Sequence, residues 1–184
     1  MITHIDLSDV LRRTVCDLYS NLVTRPTGAA VRTEIENIIA ERHEPSLTVI
    51  DFQHVRLLDF SCADEVVAKL LLGQMGTAAR SREAYFVVRI LSDVHLDAIE
   101  SVLERYGLAL VVEFDGHVRL VGDASDGERR AWEALRSMQR AMPQDVAQSI
   151  GEDLVTASQW LHTLHERRLV MRFEDEYVSL GGRT

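Results

Sequence analysis

Ser61 stands two residues after Asp59 and three before Asp64, with Glu65 next and the apolar residues Val66, Val67, Leu70 and Leu71 beyond. A hydroxyl in that position has two uses. As a helix N-cap it accepts bonds from backbone N–H groups, and Asp64 at the third helical position completes a capping pattern in which the helix dipole favours the acid. As a phosphoacceptor it would carry a near-dianion at a helix N-terminus, welcomed by backbone donors but opposed by Asp59, Asp64 and Glu65. Charge held under such opposition can alter the local surface and release a partner, which makes a workable switch. The candidate partner-facing residues are therefore Asp59, Phe60, Cys62, Asp64 and Glu65 around Ser61. Asp51, Asp59, Asp64 and Glu65 could also be read as a metal or acid/base cluster. Acids at strand ends and helix starts more commonly cap and solvate, so no catalytic residue, metal or cofactor is assigned.

A second group lies near the end of the chain. Thr156, Ser158, Gln159, His162 and Thr163 fall on the outward side of an expected helix, with Trp160 beside them and Arg167, Arg168 and Arg172 further on. Amide and guanidinium side chains read base edges and phosphates, and an exposed tryptophan anchors protein interfaces, so these nine residues are candidate DNA or partner contacts. Only Gln159 is a strong base reader, and Glu174-Asp175-Glu176 puts three acids where a phosphate-tracking hairpin needs bases. His162-x-x-His165 has no further ligand at metal spacing, and Gly73-x-x-Gly76 lacks the lysine of a phosphate loop.

The elements that must position these groups emerge from periodicity. Val10, Leu11, Thr14, Val15, Leu18 and Leu22 predict a first amphipathic helix, and Val31, Ile35, Ile38 and Ile39 a second over Ala29 to Arg42, stopping before Pro45. Leu47 to Phe52 and Tyr85 to Leu91 are short β-branched runs that read as strands covered on both faces. Between them a helix runs from Cys62 to about Met75, and another runs from His95 to Tyr106, closed by Gly107. Asp115-Gly116 joins Leu108 to Phe114 and His117 to Val121 in a hairpin. The turn-rich stretch from Gly122 to Gly127 divides the chain into an α/β domain (1–122), a linker (123–127) and a small helical domain (128–184).

Two resemblances add to this reading. Asp51 closing a buried strand, Val55-Arg-Leu-Leu-Asp59 and the serine opening the next helix resemble the STAS domain of anti-sigma-factor antagonists. Asn21-Leu-Val-Thr-Arg-Pro-Thr-Gly28 and Asp59-Phe-Ser-Cys-Ala-Asp-Glu65 are similar to a divergent STAS-like branch of unassigned function. The resemblance covers residues 20 to 121; it implies a STAS-like mixed sheet with helices and puts Ser61 on a serine phosphorylated by a partner kinase. In those antagonists the serine lies in an Asp-Ser-Ser-Gly segment, and here Phe60 stands at its first serine and Cys62 at its glycine. Pro143 to Gly151, Leu154 to Leu164, Leu169 to Phe173 and Tyr177 to Leu180 resemble a winged helix-turn-helix.

Of 184 residues, 46% are hydrophobic and 27% charged with three prolines, which excludes a mainly disordered or collagen-like chain. No long uncharged apolar run and no leader pattern are present, so a cytoplasmic protein with no membrane contact is expected. The formal net charge of −9 lies mostly in the first 126 residues, and an acidic body repels nucleic acid unless a basic face is segregated from it. The sequence thus points to a non-catalytic regulatory adaptor that binds a protein partner through its STAS-like half, such as a kinase or another regulator, and is linked by its winged helix to transcription or another complex. The alternative is a DNA-binding transcriptional regulator whose STAS-like half senses a ligand or forms a homodimer.

Overall fold

The computed structural model describes residues 2–15, 20–41, 46–75 and 84–181. Its centre is a five-stranded sheet in the order β1 (Ile2–Asp6), β3 (Ser46–Asp51), β5 (Ala84–Ile90), β6 (Ala109–Phe114), β7 (His117–Gly122). The first four are parallel and β7 returns antiparallel. Asp115 and Gly116 both take positive φ (49° and 71°), the conformation that a two-residue hairpin with the native twist requires. A separate two-stranded parallel pair joins β2 (Asn21–Leu22) to β4 (Leu57–Leu58).

Alternation along the strands explains why both faces are covered. Ile50, Phe86, Val88, Leu110 and Val112 enter one apolar cluster, and their neighbours Val49, Tyr85, Val87, Ala109 and Val111 enter another. The first cluster is closed by α1 (Leu7–Thr14), α2 (Arg25–Ala40), the helix from Phe60 to Met75 and α5 (Asp93–Tyr106). The second is closed by α6 (Asp126–Met138), α7 (Pro143–Ile150), α8 (Leu154–Glu166) and a three-stranded sheet of β8 (Arg140–Ala141), β10 (Glu176–Ser179) and β9 (Val170–Phe173). Period-2 side-chain placement thus assigns each strand to two cores at once.

Several expectations need correction. The first helix ends at Thr14, and Leu22 belongs to β2; the three-and-four spacing that joined them was fortuitous. The second helix begins at Arg25, four residues early, because Pro26 needs no N–H in a first turn and is compatible with helical φ. Strand β1, not anticipated, completes the sheet edge. The linker of residues 123–127 shrinks to Asp123-Ala-Ser125, since Ser125 caps α6 with a reciprocal Glu128 bond. The segment beyond Ser125 packs α6, α7, α8 and the small sheet on one another, and Trp132, Leu135, Leu161 and Tyr177 also join one cluster with Tyr85 and Val87 of the sheet. Cys16, Leu18, Arg42, Pro45 and Gly76 lie outside the described residues.

Candidate functional site

The carboxyl ends of the parallel strands gather β4, the start of the helix after it and the start of α2. Asp59, not Ser61, is the N-cap there: its backbone is extended (φ −86°, ψ 164°) and its Oδ1 accepts from Cys62 N at 2.7 Å. Phe60 is already helical, so the capping pattern of a serine and an acid three residues on places the helix start two residues too late. The Ser61 hydroxyl donates to the same Asp59 oxygen at 2.9 Å, while Asp59 Oδ2 accepts from Thr24 N at 3.0 Å. Burial pushes the Asp59 carboxyl up, but the bonds from Thr24, Cys62 and Ser61 outweigh it and leave it below the usual aspartate range. One carboxylate therefore ties the entry of α2 to the entry of α3 (Phe60–Ala63), and Thr24 holds a positive φ of 77° at that junction.

Directly after α3 the helix widens into a π-helical turn, Asp64–Lys69, before tightening into α4 (Leu70–Met75). The turn carries two buried carboxylates, Asp64 and Glu65, whose side chains are each 3% exposed. Arg25 Nη1 bonds both, at 2.5 Å to Asp64 and 2.8 Å to Glu65. Lys69 bonds Glu65, Arg32 pairs with Glu65 at 3.4 Å, and the Tyr106 hydroxyl donates to Asp64 at 2.8 Å. Burial alone would raise both acids, yet Arg25 and Tyr106 hold Asp64 low and Lys69 and Arg25 hold Glu65 low. Two ionised carboxylates saturated by three cations are a poor general acid or base near neutral pH. They clamp α2, the π turn and α5 together. Gly28 permits the approach: a Cβ there would lie 3.0 Å from both Cys62 Cα and Glu65 Cβ.

Of the expected partner-facing residues, Cys62, Asp64 and Glu65 are therefore corrected to interior. The Cys62 thiol donates to Thr24 O at 3.0 Å, and burial together with the nearby Asp59 charge pushes its pKa up to about 12, so it is no nucleophile. Asp59 and Ser61 are half-buried, and Phe60 is exposed under the Arg105 guanidinium, 5.8 Å from its ring centre. Apolar side chains that the sequence did not single out accompany Phe60. Leu57 is 55%, Phe60 40%, Leu91 63% and Val94 65% exposed, and both β4 and α3 pack against α5, whose first turn carries Val94. Arg25, Arg32, Lys69 and Tyr106 are further site residues that sequence reasoning missed. The one signal for them was a pair of acids inside an apolar run, which demands counter-charges from elsewhere.

The second candidate group divides. Gln159, His162 and Thr163 are exposed on α8, with Leu154 and Val155 exposed on its first turn. Thr156 and Ser158 are half-buried, and Thr156 is held by the capping Asp153. Trp160 is corrected from exposed anchor to packing residue, since a Cβ on Gly127 would fall 2.2 Å from its ring. Arg167 and Arg168 are likewise engaged in holding the two halves together. Arg167 bonds Asp123 O and pairs with Glu128 at 3.4 Å, and Arg168 lies over the Tyr85 ring at 5.6 Å. Arg129 reinforces the same junction through Leu120 O and Gly122 O. Arg172 remains exposed, above Tyr177 and bonded to Glu174 O.

Among the described residues no three His, Cys, Asp or Glu side chains converge as a metal group, and no helix is long and apolar enough to cross a membrane. No protein-family model matches the chain, and no curated protein matches it.

Proposed function

We propose that the protein is a non-catalytic regulatory adaptor that docks a protein partner on the surface around Phe60 and is switched at Ser61. The observation that carries this reading is the pair of exposed apolar side chains Leu57 and Phe60 flanking the Asp59-capped helix start, with Leu91 and Val94 exposed at the start of α5, which packs against both β4 and α3. Exposed large apolar side chains on either side of a half-buried hydroxyl suit a regulated protein contact. The switch has a physical route. Ser61 donates to Asp59, and a phosphate on that oxygen removes the donor and adds charge beside the one carboxylate that fixes Thr24 and Cys62. The STAS-like resemblance of residues 20 to 121 agrees with such a role.

For the last part of the chain we favour a winged helix that supports the sheet and meets protein over one that reads DNA. Two of its three candidate phosphate-binding arginines are occupied at the junction, and its hairpin tip is acidic. Affinity capture from the source cell with wild type, Ser61→Ala, Ser61→Asp and Phe60→Glu tests the proposal. A partner recovered by wild type and Ser61→Ala, reduced with Ser61→Asp and lost with Phe60→Glu is the expected result. Equal recovery by all four folded proteins ends it.

A further inference from the structure

A cleft of about 840 Å³ opens between the sheet and the last segment of the chain, far from Ser61 in the architecture and on the opposite face of the sheet. Strand register orders its floor. Ile2 and Leu47 form one row; His4, Val49 and Val87 form the next; Arg89 and Glu113 form the third, facing each other across β5 and β6. The floor thus grades from apolar to charged within two strand steps. Met171 and Val178 of the small sheet add apolar walls, and Arg136 and His117 add polar ones.

The charge balance in the cleft runs against that of the chain. Glu113 is the one acid among its described lining residues, and Arg89 neutralises it at 3.0 Å while also pairing with Asp51 at 3.4 Å. Arg136, paired outside the cleft with Glu133, and the ring nitrogens of His4 and His117 remain as donors. Arg89 spends both terminal nitrogens on its two acids and leaves Nε buried without a hydrogen-bond partner among the described residues. A buried donor of that kind costs free energy until an acceptor reaches it. The volume falls within the range of small-molecule sites, which favour boundaries between two packed units.

We infer that this cleft binds a small amphipathic carboxylate, its apolar body on the accessible side chains of Ile2, Leu47 and Met171 and its head group on Arg136 and the Arg89 row. Octanoate, octanol and octylamine titrated into the full chain, tracked by amide chemical shifts, provide the test. Octanoate should move Val87, Val178 and Gly181 and bind at least about tenfold more tightly than octanol, as a charge-assisted contact requires. Arg136→Gln should remove that advantage while leaving octanol unchanged. Val178→Trp should block both, and Met171→Trp serves the same purpose if the first variant fails to fold. Octylamine binding more tightly than octanoate, no shift at millimolar octanoate, or unchanged binding in the tryptophan variants would overturn the assignment. So would the same amides shifting on dilution of the protein alone, which would give the cleft to a second copy of the chain.

Discussion

At the scale of single residues, Asp59 outranks the serine that first draws notice. It holds a backbone donor on each of two helix entries, so Asp59→Ala should cost about 1–2 kcal/mol in urea unfolding. Ser61→Ala removes one hydroxyl donor and leaves the cap, and should cost about 0.5 kcal/mol. If Ser61 were the true cap the order would reverse. The same residues set the acid response. Asp59, Asp64 and Glu65 all have folded-state pKa values below their ordinary ones, so their contribution is fully present above the usual carboxylate range. It is lost as pH falls through the lowered folded values. The unfolding midpoint should therefore hold between pH 7 and 5 and drop below about pH 4.5, and Asp59→Asn should flatten that drop. A midpoint independent of pH down to about 3 would deny the carboxylates this role.

Elements are where the contrast between two helical glycines becomes useful. Gly28 sits in α2 with Cys62 backbone and Glu65 at 3.0 Å from an added Cβ, whereas Gly73 in α4 meets nothing closer than Glu36 Oε1 at 3.8 Å. Gly28→Ala should destabilise by about 1–3 kcal/mol by forcing α2 off the π turn. Gly73→Ala should stabilise by about 0.5–1 kcal/mol by removing backbone freedom from the unfolded chain. Thermal melts of the pair check both signs.

Legibility in the sequence tracked the range of the interaction. Strands β3 and β5, the Asp115-Gly116 hairpin and the Gly107 cap were readable because each is written in a few adjacent residues. The counter-charges on Asp64 and Glu65 were not, because Arg25 lies about 40 residues upstream and no local spacing announces it. β1 and β2 are too short to show a period against the helix pattern between them. Ser61 fits the capping pattern as well as Asp59 does in sequence, and only backbone extension at Asp59 separates them.

For the molecule as a whole, the shared second cluster makes residues 126–181 part of the sheet's stability. A chain ending at Ala124 would bare Tyr85, Val87, Ala109 and Val111, and should bind a hydrophobic dye and lose cooperative unfolding. The full chain should melt in one transition with the same midpoint by near-UV and far-UV dichroism. Two resolved transitions, or a cooperatively folded 1–124 fragment, would show that the halves are independent. On DNA the expectation is equally direct. Changing Glu174, Asp175 and Glu176 to lysine should leave duplex binding at low salt unaltered if the hairpin lies away from phosphate, and a steep salt-dependent gain would revive the DNA reading.

The covering of the sheet's second face by the last third of the chain also sets a timetable for biosynthesis. Strands β1, β3, β5, β6 and β7 are complete by Gly122, but Leu161, Leu164, Tyr177 and Leu180 that roof Tyr85 and Val87 are translated later. At usual elongation rates of ~5–20 residues per second, that face stays bare on the ribosome for roughly 3–12 s. During that interval the nascent protein presents an apolar sheet face of the sort that aggregates or recruits a chaperone, so ribosome-bound intermediates stalled just after β7 has left the exit tunnel should be far stickier than those stalled after the β9–β10 hairpin has left it.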